Sequence, residues 1–182
     1  MRKIRTQAEI EKESRRNQMI IGGILIVLLV ISTIGYGFLN KEDKKETSTE
    51  YNGVEFIKQN NGWHFEINGV DFLLQNLPQE VENISVSGGF NLQNYAEKTL
   101  YFAGDGSKEE ILYNLGKYIE RYQDACLKEC EKNLPVKNCS DNLIVFEQGE
   151  KTKVWQDRNC VYISGDYIKA SDAFLYKIFG II

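Results

Sequence analysis

The stretch Trp63-His64-Phe65-Glu66-Ile67-Asn68-Gly69-Val70-Asp71-Phe72-Leu73-Leu74 places an alternating run of apolar and polar residues on each side of an Asn-Gly pair. Trp63, Phe65 and Ile67, then Val70, Phe72 and Leu74, have the period of two that marks half-buried strands. Asn68-Gly69 supplies the two left-handed residues of a type I′ hairpin turn. Upstream, Val54 and Phe56 alternate in the same way and Asn61-Gly62 adds turn chemistry. Asn-Gly-Val-acid-Phe occurs twice, at 52–56 and 68–72. Two copies sixteen residues apart read as hairpin geometry rather than as a solenoid. An antiparallel β-meander is therefore expected over 51–97, with 81–87 adding a further strand after Pro78.

Downstream the pattern changes. Thr99 to Ala103 (TLYFA), Leu143 to Phe146 (LIVF) and Cys160 to Ile163 (CVYI) are short continuous apolar runs. Such runs suit strands covered on both faces, which implies helices against the sheet. One helix is expected to open at Ser107, where Ser-Lys-Glu-Glu forms a capping box with Glu110. It carries Ile111, Leu115, Tyr118, Ile119, Tyr122 and Cys126 on one stripe and ends at Leu134-Pro135. A second, over about 168–179, buries Ala173, Phe174 and Ile178. Strand, helix, strand implies a right-handed crossover, with 153–156 as hairpin partner of the LIVF strand. The expected fold class is α+β: an N-terminal transmembrane helix, an antiparallel β-meander, then a small α/β unit with two helices over 98–182.

The transmembrane expectation rests on Met19 to Leu39, twenty-one uncharged and mostly apolar residues. At helical rise they span roughly 31 Å, about one hydrocarbon core. A basic leader, 1–18, carries six Lys and Arg against three Glu, so the positive-inside rule puts the N-terminus in the cytoplasm. Residues 40–50 are polar without an apolar period and read as a stalk. The expected location is the plasma membrane with the C-terminal domain outside, and the expected partners are the lipid bilayer through 19–39 and an envelope or membrane protein. Residues 40–182 hold 16 Lys and Arg against 23 Asp and Glu, a net of −7. That acidic balance argues against nucleic acid as a partner.

All four cysteines lie in this exterior part. Two disulfides are expected in an oxidising environment. With Cys126 and Cys130 one turn apart on a helix, each is expected to reach forward, giving Cys126–Cys160 and Cys130–Cys139. The CxxxC spacing fits neither a four-cysteine zinc site nor a CxxC redox motif. No metal or cofactor is implied.

Two strands end in the same words, Tyr-Phe-Ala-Gly104-Asp105 and Tyr-Ile-Ser-Gly165-Asp166. As parallel neighbours they would set Asp105, Ser107 and Asp166 at the carboxyl edge of the sheet, where open α/β folds bind ligands. The plainer reading is turn and helix-cap chemistry. Gly104-Asp105-Gly106-Ser107 lacks the lysine and spacing of a phosphate loop, and Glu109 and Glu110 would repel an anion there. His64, the sole histidine, sits between two inward-facing aromatics and reads as an exposed strand residue. Asn83-Ile84-Ser85 and Asn138-Cys139-Ser140 are glycosylation sequons, with Asn83 the better candidate because a disulfide at Cys139 hinders its neighbour.

The closing stretch, Asn159-Cys160-Val161-Tyr162-Ile163 with Gly165 and then 169–181 (KASDAFLYKIFGI), resembles the end of uncharacterised single-pass membrane proteins of archaea. The resemblance implies an archaeal plasma membrane and brings no activity and no functional residues. The residues assemble no catalytic signature. The expected function is an anchored exterior domain that binds or assembles with an envelope component; the alternative is a cell-surface hydrolase or ligand-binding protein using the Gly104-Asp105/Gly165-Asp166 edge.

Overall fold

A computed structural model describes residues 7–39, 47–130 and 133–182. The chain divides into two compact units, residues 1–45 and 46–182. The first is the helix α1 (Gln7–Leu39). Its described side chains begin with exposed Lys12, Arg15 and Arg16, and from Met19 to Ile31 every large apolar side chain is exposed. The expected transmembrane helix over 19–39 is corrected here: among the described residues no helix is long and apolar enough to cross a membrane. The side chains of 32–39, the start of the leader and most of the supposed stalk lie outside the described residues.

The second unit begins with a four-stranded antiparallel sheet, β1 (Ser48–Tyr51), β2 (Val54–Gln59), β3 (Gly62–Ile67) and β4 (Val70–Leu74), paired in that order. The stalk expected over 40–50 is thus wrong at its end, where Ser48 to Glu50 pair with β2. Backbone hydrogen bonds recruit this polar segment although it has no apolar period. Asn52-Gly53 and Asn68-Gly69 both turn with positive φ at each residue, as a type I′ hairpin requires. Phe56, Phe65 and Phe72 line one face, with ring centroids 4.9 and 5.4 Å apart along the row.

After a short helix α2 (Pro78–Val81), six further strands form a mixed sheet: β5 (Ser85–Ser87), β6 (Thr99–Ala103), β7 (Arg121–Asp124), β8 (Leu143–Glu147), β9 (Lys153–Asp157) and β10 (Cys160–Ser164). Their spatial order is β5-β9-β10-β8-β6-β7. β10, β8, β6 and β7 run parallel in that order, so β8 separates the 99–103 and 160–163 strands, and β7 takes up residues expected in a helix. β9 departs from expectation: it pairs antiparallel with β10, not with the LIVF strand. The tight Arg158-Asn159 turn, with Arg158 at φ 52°, folds it onto the strand that follows.

Helix α3 (Lys108–Leu115) is much shorter than its apolar stripe suggested, and it ends at Gly116. Tyr118 and Ile119 do pack against the core, but from a turn. The chain is then drawn into the sheet by Tyr118 O accepting from Glu97 N–H and by Glu120 N–H donating to Lys98 O. Ser107 precedes the helix without making a side-chain cap bond, so the expected capping box is absent. Glu110 instead accepts from Gln75, through its backbone N–H at 3.2 Å and its amide at 2.9 Å.

Helix α4 (Tyr167–Phe179) matches the expected second helix. Asp166 caps its start, and Gly180, left-handed at φ 73°, closes its end with its N–H on Lys177 and Ile181 N–H on Tyr176. Leu100, Phe102, Ile144, Phe146, Val161 and Ile163 form one face of the mixed sheet and share a core with α3, α4 and the phenylalanine row. The opposite face, Tyr101, Ala103, Leu143, Val145 and Cys160, is covered by Ala125, Leu127 and Cys139 of the loop that follows β7. That loop takes the place of a second helical layer.

Candidate functional site

The parallel strands bring their carboxyl ends to one edge. There β6 continues into α3, on the face of the main core, whereas β7 continues into the cysteine loop on the other face. Diverging connections at adjacent strand ends open a crevice, the usual ligand position in open α/β sheets. A cleft of about 890 Å³ lies at this point. Its floor is apolar, from Phe102, Ala103, Val145 and Phe146 at the strand ends, with Leu127 and Leu134 from the loop. Its rim is charged, from Asp105, Lys108, Asp124, Lys128 and Glu129. Such volume and lining fall within the range of ligand sites.

The Gly104-Asp105-Gly106 turn forms one wall because the chain there lies directly on Phe146. Gly104 has φ 90°, and a Cβ on it would strike the Phe146 carbonyl; one on Gly106 would strike the Phe146 ring. Gly106→Ala is therefore expected to lower stability by about 1–3 kcal/mol by displacing that ring. Gly89→Ala, where the same addition meets open space, is the control. Equal urea midpoints for the two variants would show that the turn is not set by this contact.

Across the mouth, Lys108 Nζ lies 2.5 Å from Asp124 Oδ1, tying the first turn of α3 to the end of β7. With side chains 28% and 49% exposed, the pair contributes at most about 1 kcal/mol to stability. Its consequence is positional: it fixes opposite charges at the rim. The loop wall holds the disulfide Cys126–Cys130, whose Cα atoms are 6.3 Å apart. Cys126 is further fixed by its N–H on Pro135 O, 2.9 Å, and its own carbonyl accepting from Lys137 N–H, 2.8 Å.

The expected connectivity is corrected accordingly. Cys126–Cys160 and Cys130–Cys139 are replaced by Cys126–Cys130 and Cys139–Cys160. The helix assumed to carry Cys126 and Cys130 stops ten residues earlier, so a link between them distorts no helix. Cys139 and Cys160, 6% and 0% exposed with Cα atoms 4.8 Å apart, staple the loop to β10 inside the second core. These two disulfides mark an oxidising environment.

The proposed trio Asp105, Ser107 and Asp166 is only partly brought together. Asp105 is on the cleft rim, and Ser107 is half-buried at the helix start outside the lining. Asp166 stands beyond β8, about two strand spacings, or roughly 10 Å, from the end of β6. Its carboxylate accepts from Lys169 N–H, and its own N–H donates to Thr152 Oγ1. It is a helix cap, so the two Gly-Asp turns do not share a ligand. No group of three His, Cys, Asp or Glu suited to a metal occurs among the described residues.

His64 lies in the antiparallel sheet with Nε2 2.9 Å from Asp71 Oδ1, away from the cleft. Asn83 is exposed ahead of β5, whereas the Asn138 side-chain oxygen is engaged by the backbone N–H and hydroxyl of Ser140. Lys108, Asp124 and Phe146 are among the cleft residues that sequence reading missed. The signal available for Phe146 was the pair of glycines flanking Asp105, which announces a close neighbour but does not name it. No protein-family model, no curated protein and no solved structure matches the chain.

Proposed function

We propose that this chain is a binding domain of an oxidising exterior compartment, and that its cleft receives an extended segment of an envelope partner protein. The observation that carries the reading is the pairing of an apolar floor with a rim of both charges at the divergence of β6 and β7. β7 is the outer strand of its sheet and exposed along its whole length, and its last residue, Asp124, is on the rim. A segment entering the cleft can therefore continue as an added strand, which favours an extended peptide over a compact small molecule.

Cysteine-free peptides selected on the full chain test this directly. Lys108→Glu and Asp124→Lys each reverse one rim charge, and each is expected to weaken the selected peptides about tenfold. Affinities unchanged in both variants would remove the cleft as the binding site.

A further inference from the structure

The two disulfides occupy opposite environments. Cys139–Cys160 is buried within a core, but Cys126–Cys130 lines the cleft, with Cys130 exposed and Cys126 half-buried. A disulfide spanning only four positions constrains little chain entropy, and exposed disulfides of this kind are the exchangeable ones. Cys126 is held in place by its two backbone hydrogen bonds, to Pro135 and Lys137. The two cysteines line the same cleft as the charged rim, so a partner seated there reaches the disulfide.

We propose that Cys126–Cys130 is a thiol-exchange site for a cysteine carried by the docked partner; this rests on the cleft being the docking site. The partner's thiolate attacks Cys130 Sγ, the Cys126–Cys130 bond breaks, and a mixed disulfide forms between the partner and Cys130. The electron pair of the broken bond leaves on Cys126 as its thiolate. The number of disulfides is unchanged, so the step needs no oxidant beyond the disulfide itself. Because Cys126 stays fixed in the wall, its thiolate is placed to attack Cys130 Sγ in return and release the partner.

The test uses the full chain and reduced glutathione as the probe thiol, with acid quenching, alkylation and peptide mass spectrometry. Glutathione is expected on Cys130 with Cys126 alkylated, at least about tenfold faster than any reaction at Cys139 or Cys160. In Cys126→Ser, Cys130 treated with oxidised glutathione should give a mixed disulfide that persists, since no resolving thiol remains. Equal rates at the two disulfides, or adducts chiefly on Cys126, would overturn the proposal. Peptide docking that survives in a chain whose Cys130 does not react would remove the exchange role and leave the binding reading. Selective reaction at Cys130 without peptide docking would keep the exchangeable bond and remove the docked partner.

Discussion

Replacing both buried cysteines, as Cys139→Ala with Cys160→Ala, should lower the unfolding free energy by about 3 kcal/mol from loop closure alone. The bond spans 21 positions and lies in the smaller core, so its loss releases the loop that covers that face of the mixed sheet. Cys126→Ala with Cys130→Ala should cost about 2 kcal/mol or less, because the closed loop is short. Urea unfolding of both double variants checks the ranking. A larger loss from the Cys126 and Cys130 pair would mean that the cleft wall, and not the second core, depends most on its disulfide.

The second large effect concerns Asp172, fully buried on α4. Its Oδ2 accepts from the backbone N–H and the side-chain amide of Asn76, both at 2.8 Å, while Oδ1 has no donor. Tyr176 donates to the Asn76 carbonyl at 2.7 Å, joining the end of the antiparallel sheet to the helix. Burial first, and then the Glu110 carboxylate facing it from α3, raise the Asp172 pKa to about 8 against the hydrogen bonds from Asn76. The folded chain therefore keeps a proton that the unfolded chain has already lost.

Stability should fall as pH rises from about 4 to about 8 and level off above, by on the order of 3–5 kcal/mol. Asp172→Asn keeps an acceptor for Asn76, supplies a donor on the Glu110 side and cannot ionise. It should flatten this slope and be the more stable protein at pH 8, by about 2–4 kcal/mol. Parallel stability profiles for the two proteins across that range would show that Asp172 does not hold the proton.

The residues that declared themselves in the sequence were those whose local pattern and tertiary role agree. Asn52-Gly53 and Asn68-Gly69 set hairpin turns wherever they stand, and the runs at 99–103, 143–146 and 160–163 are apolar because both faces of their strands are covered. Arg121 to Asp124 failed for the opposite reason. These four exposed residues have no strand pattern of their own and become a strand only through pairing with β6. The apolar stripe of α3 ran on through Tyr118 and Ile119, which reach the same core from a turn, and so concealed the end of the helix at Gly116. The disulfide connectivity then failed with the helix on which it was argued.

For the site, the repeated Gly-Asp turns both follow parallel strands at the carboxyl edge of the mixed sheet, and only the first of them borders the cleft. They could not show that Thr152 and α4 occupy Asp166 while Asp105 borders a cleft. Lys108 and Asp124 are sixteen positions apart and meet only because β7 returns beside β6, a pairing that no local pattern encodes.

Hydrogen–deuterium exchange on the full chain, with and without a selected peptide, tests the central claim most directly. The cleft reading predicts that the peptide slows exchange at 103–108 and 124–130 while the antiparallel sheet is unchanged. Protection confined to β5, the antiparallel sheet or any other surface would contradict it.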